Sequence, residues 1–153
     1  MIVIHCGRSD KEALKTVPVS LSEIEDDGTN YTGVTINKPW GHEVEKYTDE
    51  DIAIWFLLIH SGQQTSLHCH VNKTTGFFVM AGKAILRTLD ESHAVSEGDV
   101  VVIKKGAFHQ IISDGGPVIL YEFETPTNKR DLVRLEDKYG RKGMGYERVE
   151  PAA

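Results

Sequence analysis

The chain has 153 residues, of which 40% are hydrophobic and 26% charged, and its net charge is −6 at pH 7. This length suits one domain with one sizeable core. The acidic balance argues against nucleic acid or an anionic membrane surface as the main partner. No apolar run is long enough to cross a bilayer, and the N-terminus lacks a signal-peptide pattern. Because two cysteines are too few for a disulfide framework, we expect a reducing, cytoplasmic location.

The N-terminal region differs in character from the rest of the chain. It opens with a β-like run at residues 2–5, continues with a polar stretch at 9–15 that predicts a turn of helix, and ends in an acidic loop. We interpret residues 1–33 as an N-terminal arm that packs on its own domain or on a second subunit.

From residue 34 to residue 125, short β-like runs alternate with glycine-containing turns. The run at 52–60 is almost entirely apolar, which is typical of a strand buried on both faces. This rhythm predicts an antiparallel sandwich or barrel. The predicted strands span residues 52–60, 77–80, 84–89, 100–103, 108–112 and 118–123.

In the last of these runs, two carboxylates alternate with two aromatic rings. Glu122 and Glu124 share one face of the predicted strand, and Tyr121 and Phe123 share the other. We expect the aromatic rings to fill the core, which would place both carboxylates outside and weaken them as catalytic bases. No pattern ranks the other candidates near the predicted barrel mouth, which are His42, Glu43 and Glu45.

Three histidines form the main candidate site. His68 and His70 are two residues apart in an extended run, so both imidazoles project to one face. His109 follows a Lys-Lys-Gly turn, near the start of another strand. If a barrel brings the three together, they make a site for one divalent transition metal such as Zn, Fe, Mn or Ni. Three ligands leave coordination positions open for water or substrate.

The segment around the first two histidines resembles the first motif of the cupin superfamily. That motif reads Gly, five residues, His-x-His, three or four residues, Glu, six residues, Gly. The matching positions here are Gly62, His68, His70 and Gly82, with Thr75 at the place of the Glu. Loss of that carboxylate would make the site weaker and more positive.

The segment that ends at the third histidine resembles the second cupin motif. The matching positions are Gly98, Gly106 and His109, with Lys104 in place of a Pro and Ser113 in place of an Asn. The resemblance implies an all-β cupin fold, a double-stranded β-helix or jelly-roll barrel, over residues 34–125. It also implies that His68, His70 and His109 are the metal ligands.

Two further segments are similar to the type II mannose-6-phosphate isomerase cupin domain of bifunctional GDP-mannose enzymes. They are Lys-Pro-Trp-Gly at 38–41 and Asp-Leu-Val-Arg…Asp-Lys-Tyr-Gly-Arg at 131–141. The second lies in residues 126–153, which we expect to form a short irregular or helical tail packed on the barrel. The likeness implies a sugar phosphate or nucleotide sugar as ligand.

Three residues are then candidates for substrate binding. Arg134 would contact a phosphate or hydroxyl group, because a guanidinium matches that geometry bidentately. Lys104, near the barrel mouth, would add a second phosphate contact, and Trp40 would stack on a sugar face. The alternatives are an ion pair of Arg134 with a neighbouring carboxylate, a solvated turn for Lys104 and simple packing for Trp40.

Three functions remain open from the sequence. The first is an enzyme, a metal-dependent isomerase or epimerase of a sugar phosphate or nucleotide sugar in polysaccharide precursor synthesis, although no catalytic base can be identified. The second is a non-catalytic sugar-binding or regulatory cupin, which the threonine at the Glu position favours. The third is a three-histidine iron dioxygenase. We also expect a homodimer, because the arm and the sheet edges offer surface that a second copy can cover.

Overall fold

The computed structural model describes residues 1–146, which contain far more β-strand than helix. The N-terminal region forms β1 (Ile2–Ile4), α1 (Arg8–Leu14) and α2 (Leu21–Ile24). The next strands are β2 (Thr35–Lys38), β3 (Gly41–Thr48), β4 (Ala53–Ile59), β5 (Leu67–Cys69), β6 (Thr74–Ala81) and β7 (Lys83–Thr88). The last are β8 (Ser92–Ser96), β9 (Val100–Ile103), β10 (His109–Ser113), β11 (Val118–Thr125) and β12 (Val133–Glu136).

The strands form two sheets that face each other as a jelly-roll barrel. The larger sheet has the order β1-β9-β6-β11-β4-β3-β2, and the smaller has the order β12-β5-β10-β7-β8. The all-β jelly-roll prediction is therefore confirmed. β1 joins the larger sheet as an edge strand parallel to β9, and β12 joins the smaller sheet as an edge strand antiparallel to β5. The expectation of an irregular or helical tail was therefore wrong for residues 133–136, which form β12. The division into an arm, a barrel and a tail stays a prediction.

The core lies between the sheets and follows the alternation of each strand. In β4, Trp55, Leu57 and Ile59 are at most 3% exposed, while the residues between them are half-buried. The prediction that this strand is buried on both faces is thus only partly met, because its second face lies on the outside of the larger sheet. The hairpin between β6 and β7 turns at Gly82, whose φ of +86° is a conformation that favours glycine.

The orientation of β11 is the reverse of our expectation. Leu120 and Glu124 are fully buried in the interior, whereas Tyr121 and Phe123 lie on the outer face of the larger sheet. The ring of Phe123 covers Gly76 there, and a Cβ at position 76 would lie 2.4 Å from it. The carboxylates of this strand therefore point into the barrel, and the prediction that its aromatic rings fill the core was wrong.

The N-terminal region is tied to the strand that carries the third histidine. The buried Asp10 carboxylate accepts one hydrogen bond from the amide of Phe108 (2.9 Å) and one from the amide of Gly7 (2.8 Å). This links α1 to the start of β10. Neither helix in residues 1–146 has the length and apolarity needed to span a membrane.

Candidate metal and sugar-binding site

The three histidines come together inside the barrel. His68 lies on β5 and His70 directly follows it, while His109 begins β10 and pairs with His68 in antiparallel register. The potential ligand nitrogens all lie within 4.8 Å of one another. The pairing of two adjacent strands of the smaller sheet thus places the cluster where the sequence predicted it.

Each imidazole is oriented by a backbone carbonyl. Because a carbonyl oxygen only accepts hydrogen bonds, the Nδ1 atom facing it carries the proton, and the Nε2 lone pair is left for another partner. The three contacts are His68 Nδ1 to Ser66 O (2.9 Å), His70 Nδ1 to Asp131 O (2.6 Å) and His109 Nδ1 to Ala107 O (2.9 Å). Within residues 1–146, the buried Nε2 of His70 has no hydrogen-bond partner. A metal ion is a partner that such a lone pair fits.

The protonation state also suits a metal. Burial lowers the pKa of His109 to about 4, and burial holds the pKa values of His68 and His70 well below the usual histidine range. The three rings are therefore neutral at pH 7, which is the form that ligates metals. No Asp or Glu among residues 1–146 joins the group. The donor set is three neutral nitrogens, which suits Zn, Fe, Mn or Ni.

A lysine lies two residues before Thr75, the position where the resembled cupin motif has its glutamate. Thr75 is buried on β6, and Lys73 precedes that strand and lines the cavity of the histidines. The ammonium of Lys73 binds the carboxylate of Glu124 and the carbonyl of Asn128 (2.7 Å). Glu124 also accepts the indole N–H of Trp55 at 3.2 Å. The ammonium of this ion pair further lowers the pKa of His70 and of His109, which disfavours the protonation of those two rings.

A second charged group lines the same cavity. The Nζ of Lys129 lies 3.5 Å from Oε1 of Glu43 and 3.7 Å from Oε1 of Glu122. Glu43 is also 3.6 Å from the Nζ of Lys38 and accepts the hydroxyl proton of Tyr146. Burial alone would lower the pKa of Lys129, but the surrounding glutamates outweigh it and raise that pKa. Lys129 is therefore charged although its side chain is 9% exposed.

The lining of the cavity is cationic although the whole chain is acidic. Five basic residues and two acidic residues line it, along with the three histidines. An anionic ligand fits such a lining, because each cation inside the barrel is partly desolvated and attracts anions more strongly than it would in water. The basic residues are Lys38, Lys73, Lys129, Arg134 and Arg141, and the acidic ones are Glu43 and Glu122.

Two of the three predicted substrate contacts reach this cavity. Trp40 and Arg134 are both buried and line it. One Nη of Arg134 donates to the carbonyl of Gly145 at 2.6 Å and to that of Met144 at 3.3 Å. Lys104 is exposed in the turn after β9 and is not among the lining residues. The structure therefore brings the histidines together with Trp40 and Arg134 but not with Lys104.

The carboxylates considered as ion-pair partners of Arg134 are engaged elsewhere. Asp137 binds Arg141 at 2.9 Å, and Glu136 pairs with Arg87 at 3.2 Å. Asp131 accepts hydrogen bonds from the backbone amides of residues 71 and 72 at 2.8 and 2.7 Å. This last contact fixes the turn after His70, so the tail helps to position a histidine as well as to line the cavity.

Sequence reasoning missed Lys73, Lys129 and Glu122. Lys73 is two residues before Thr75, so the strand period places both on the inward face, and this was a usable signal. Glu122 was considered but assigned to the wrong face of β11. Lys129 lies in an irregular segment between β11 and β12, where no periodicity predicts the direction of a side chain.

The comparison with known families decides the nature of the barrel. Residues 55–123 match the family described as cupin domain. The barrel has the cupin fold. The cupin resemblance noted from the two histidine segments is confirmed, since the matched range includes all three histidines.

Several proteins that are similar to this chain have names that refer to sugars. The mannose-1-phosphate guanylyltransferase ManC of Salmonella typhimurium is 25% identical over 138 residues, covering 87% of this chain and 29% of ManC. The chain thus spans less than a third of the length of the curated relatives it matches. The capsular polysaccharide assembling protein CapF of Staphylococcus aureus superposes with a TM-score of 0.60 at 21% identity, covering 68% of this chain and 34% of CapF. A putative sugar phosphate isomerase of Acidithiobacillus ferrooxidans gives a TM-score of 0.53 at 19% identity, covering 74% and 78%. At these identities the structural likeness shows the fold alone.

Proposed function

We propose that this cupin holds one divalent transition metal at His68, His70 and His109 and acts on an anionic sugar as an isomerase or epimerase. The sugar would be a sugar phosphate or a nucleotide sugar used in polysaccharide precursor synthesis. The observation that carries the proposal is the set of three neutral, backbone-oriented imidazoles that opens into a cationic cavity. When bound, the metal would act as a Lewis acid that polarises a carbonyl oxygen of the sugar.

The cations of the cavity support an anionic substrate. Lys129 and Arg134 are buried between the sheets and line the cavity, so water screens their attraction for a phosphate group only weakly. Arg134 can release the two backbone carbonyls it binds in exchange for phosphate oxygens, which accept stronger, charge-assisted hydrogen bonds. The apolar side chains of Leu57 and Leu132 exclude water from the other side of the cavity.

The names of the similar proteins support the sugar as the ligand. Those names refer to mannose 1-phosphate, to capsular polysaccharide and to a sugar phosphate. A ligand of that class carries both the anionic group that the cations attract and the hydroxyl or carbonyl oxygens that a three-histidine metal site leaves room for. The proposal therefore joins the chemistry of the cavity to the class of molecule those names share.

The test combines metal analysis with a substrate screen. Purified protein is loaded with Zn, Fe, Mn or Ni and incubated with a panel of hexose phosphates and nucleotide sugars, with and without oxygen. We expect about one metal per chain and conversion of one sugar into an isomer of equal mass, in air and under nitrogen alike. His109→Ala, which removes a ligand, should abolish both, while the exposed His5→Gln should keep both.

The absence of a carboxylate from the histidine group within residues 1–146 favours one further function, a three-histidine iron dioxygenase. Oxygen uptake with iron only, together with a product that has gained oxygen, would establish that function instead of the isomerase. Metal and sugar-phosphate binding without turnover would instead establish a non-catalytic sugar-binding cupin.

A homodimer in the cytoplasm completes the proposal. Phe78 and Met80 are 48% and 47% exposed on the outer face of the larger sheet, which is a surface that a second copy can bury. Both cysteines are free thiols, which suits a reducing compartment. Light scattering at micromolar concentration should give twice the mass of one chain, and a monomer mass would rule out the dimer.

A further inference from the structure

We propose that Glu122 is the catalytic residue that takes and returns the proton during sugar isomerisation. This rests on the proposed function, and it assigns to that function the route in which a proton leaves the carbon next to the carbonyl. The sequence supplied no such group, since it predicted that the Glu122 carboxylate would lie outside the barrel.

The position of Glu122 is the first observation. Its carboxylate projects from β11 of the larger sheet into the cavity that the histidines enter from the smaller sheet. Its side chain is 14% exposed, whereas that of Glu124, two residues further on the same face, is 0% exposed. Glu122 is thus the carboxylate of β11 that a molecule in the cavity can reach.

The second observation is that the neighbouring carboxylates are already committed. Glu124 is held by Lys73 and by the indole of Trp55. Glu43 is held between two lysines and the hydroxyl of Tyr146. Within residues 1–146, the carboxylate of Glu122 makes one ion pair, at 3.7 Å from the Nζ of Lys129, and no hydrogen bond. Its oxygens are therefore available to accept a proton from a substrate.

The electrostatic surroundings let Glu122 exist in either protonation state. Burial raises the pKa of Glu122, and the nearby Glu43 and Glu124 raise it further, while Lys129 and Lys73 act in the opposite direction. A raised pKa makes the carboxylate a stronger base and brings its protonated form closer to neutral pH, which suits a group that must take and return a proton in one cycle. Lys129 stabilises the carboxylate form between turnovers.

The proton transfer is balanced without any other reactant. The carboxylate takes the proton from the carbon next to the carbonyl, the electron pair of that C–H bond forms the new C=C bond, and the carbonyl π pair moves to its oxygen. To form the isomer, the protonated Glu122 gives the proton to the former carbonyl carbon, and the electron pair of the C=C bond forms the new C–H bond. The neighbouring hydroxyl oxygen becomes the new carbonyl and passes its proton to the first oxygen.

The experiment follows exchange of the carbon-bound proton with solvent. Metal-loaded wild type, Glu122→Gln and Glu136→Gln are incubated in D2O with the panel of hexose phosphates and nucleotide sugars, and deuterium in the sugar is measured by NMR. Glu136→Gln is the matched control, because Glu136 is 55% exposed and pairs with Arg87 outside the cavity. We expect the exchange rate of Glu122→Gln to fall about 10²- to 10⁴-fold, and that of Glu136→Gln to match wild type.

Three further readouts separate the outcomes. Metal content and the dissociation constant of the exchanging sugar should be unchanged in Glu122→Gln, and Glu122→Asp should recover part of the rate because it keeps a carboxylate. Exchange by wild type that persists in Glu122→Gln overturns the role of Glu122 and leaves the proposed function standing. Wild type that converts a sugar without exchange, at a rate that Glu122→Gln matches, overturns the role of Glu122 and leaves the proposed function standing, whereas absence of both exchange and conversion overturns the proposed function as well. If Glu122→Gln fails to fold, a wild-type rate in Glu122→Ala overturns the role, and a rate that is low in Glu122→Ala but partly recovered in Glu122→Asp supports it.

Discussion

The two walls of the cavity solve the problem of burying polar groups in opposite ways. The wall from the smaller sheet carries three imidazoles that burial makes neutral, each oriented by a backbone carbonyl. The wall from the larger sheet and the tail carries lysines and glutamates that are held in ion pairs, and we call it the charged wall. Its pairs are Lys38 with Glu43, Lys73 with Glu124, and Lys129 with Glu43. An imidazole loses its proton at little cost, whereas a lysine or glutamate avoids the cost of desolvation by keeping a partner of opposite charge.

This difference assigns separate chemistry to each wall. Neutral nitrogens with available lone pairs suit a metal ion. Fixed charges suit an anionic substrate and the transfer of protons. A change confined to one wall should therefore alter one kind of chemistry and leave the other measurable.

The largest loss in the free energy of unfolding should come from protonating the histidine wall, which is His68, His70 and His109, in the metal-free protein. The pKa of His109 is about 4 in the folded chain, against an ordinary value of 6.5. Since the unfolded chain binds that proton first, the free energy of unfolding should fall as the pH drops from 6.5 to 4. His109 alone accounts for a loss of about 3 kcal/mol, and His68 and His70 add to it.

Urea unfolding of metal-free protein at several pH values measures this loss. His109→Gln should flatten the dependence, while the exposed His5→Gln should keep it. Stability that stays level between pH 6.5 and pH 4 would contradict the neutral state that we assign to the three rings.

The second-largest loss in the free energy of unfolding should come from breaking the ion pair between Lys73 and Glu124. The side chains of Lys73 and Glu124 are 2% and 0% exposed, so Lys73→Met leaves an uncompensated buried carboxylate. We expect the free energy of unfolding to fall by about 3–5 kcal/mol. The double variant Lys73→Met, Glu124→Leu should recover much of this, because both charges are then gone.

The surface pair of Arg87 and Glu136 is the matched control for that measurement. Its side chains are 39% and 55% exposed, so Arg87→Ala should change stability by less than about 1 kcal/mol. Equal effects of Lys73→Met and Arg87→Ala on denaturant midpoints would contradict the view that the buried wall depends on pairing.

Loading the histidine wall with metal should have the opposite effect to protonating it. A divalent ion at 100 times its dissociation constant should stabilise the folded chain by about 2.7 kcal/mol. His70→Ala should remove most of this gain, because two ligands rarely hold a metal tightly, and Lys104→Ala should keep it. Melting temperature with and without metal, alongside elemental analysis, measures both. Wild type that holds no metal after loading would end the metal-binding proposal.

The smallest predicted effect is the loss of sugar-phosphate binding when Arg134 is replaced. If its guanidinium binds an anionic sugar group, Arg134→Ala should weaken sugar-phosphate binding by roughly tenfold to hundredfold, equivalent to about 1.5–3 kcal/mol. Arg134→Lys should recover only part, since an ammonium keeps the charge but not the bidentate geometry. Calorimetric titration of one hexose phosphate into wild type and both variants measures the change.

Melting curves and metal content serve as controls for Arg134. The contacts of Arg134 with the carbonyls of Met144 and Gly145 predict some loss of stability in Arg134→Ala whatever its role in binding. A lower melting temperature with an unchanged dissociation constant in both variants would show that Arg134 ties down the tail and does not bind the substrate.

Much of the fold and the histidine wall was determined by the sequence itself. Strand alternation places His68 and His70 on one face, and the resemblance of the two histidine segments to the cupin motifs implied the jelly roll. These signals are local, because a strand of period two and a tight turn each need only a few neighbouring residues. Backbone carbonyls within two residues orient His68 and His109, so this part of the geometry is also local.

The charged wall was decided only by tertiary structure. On β11 the period shows that Glu122 and Glu124 share a face, but a shift of one residue exchanges the inner and outer faces, and both faces had plausible core residues. In the structure, β11 pairs with β4 and β6, and the ring of Phe123 packs over Gly76 on the outer face. Glu122 and Glu124 therefore lie on the inner face. Lys129 comes from an irregular segment and reaches Glu43 across a separation of 86 positions. A buried lysine keeps its charge only where the folded chain places a carboxylate beside it. The local sequence pattern around Lys129 does not show which carboxylate that is.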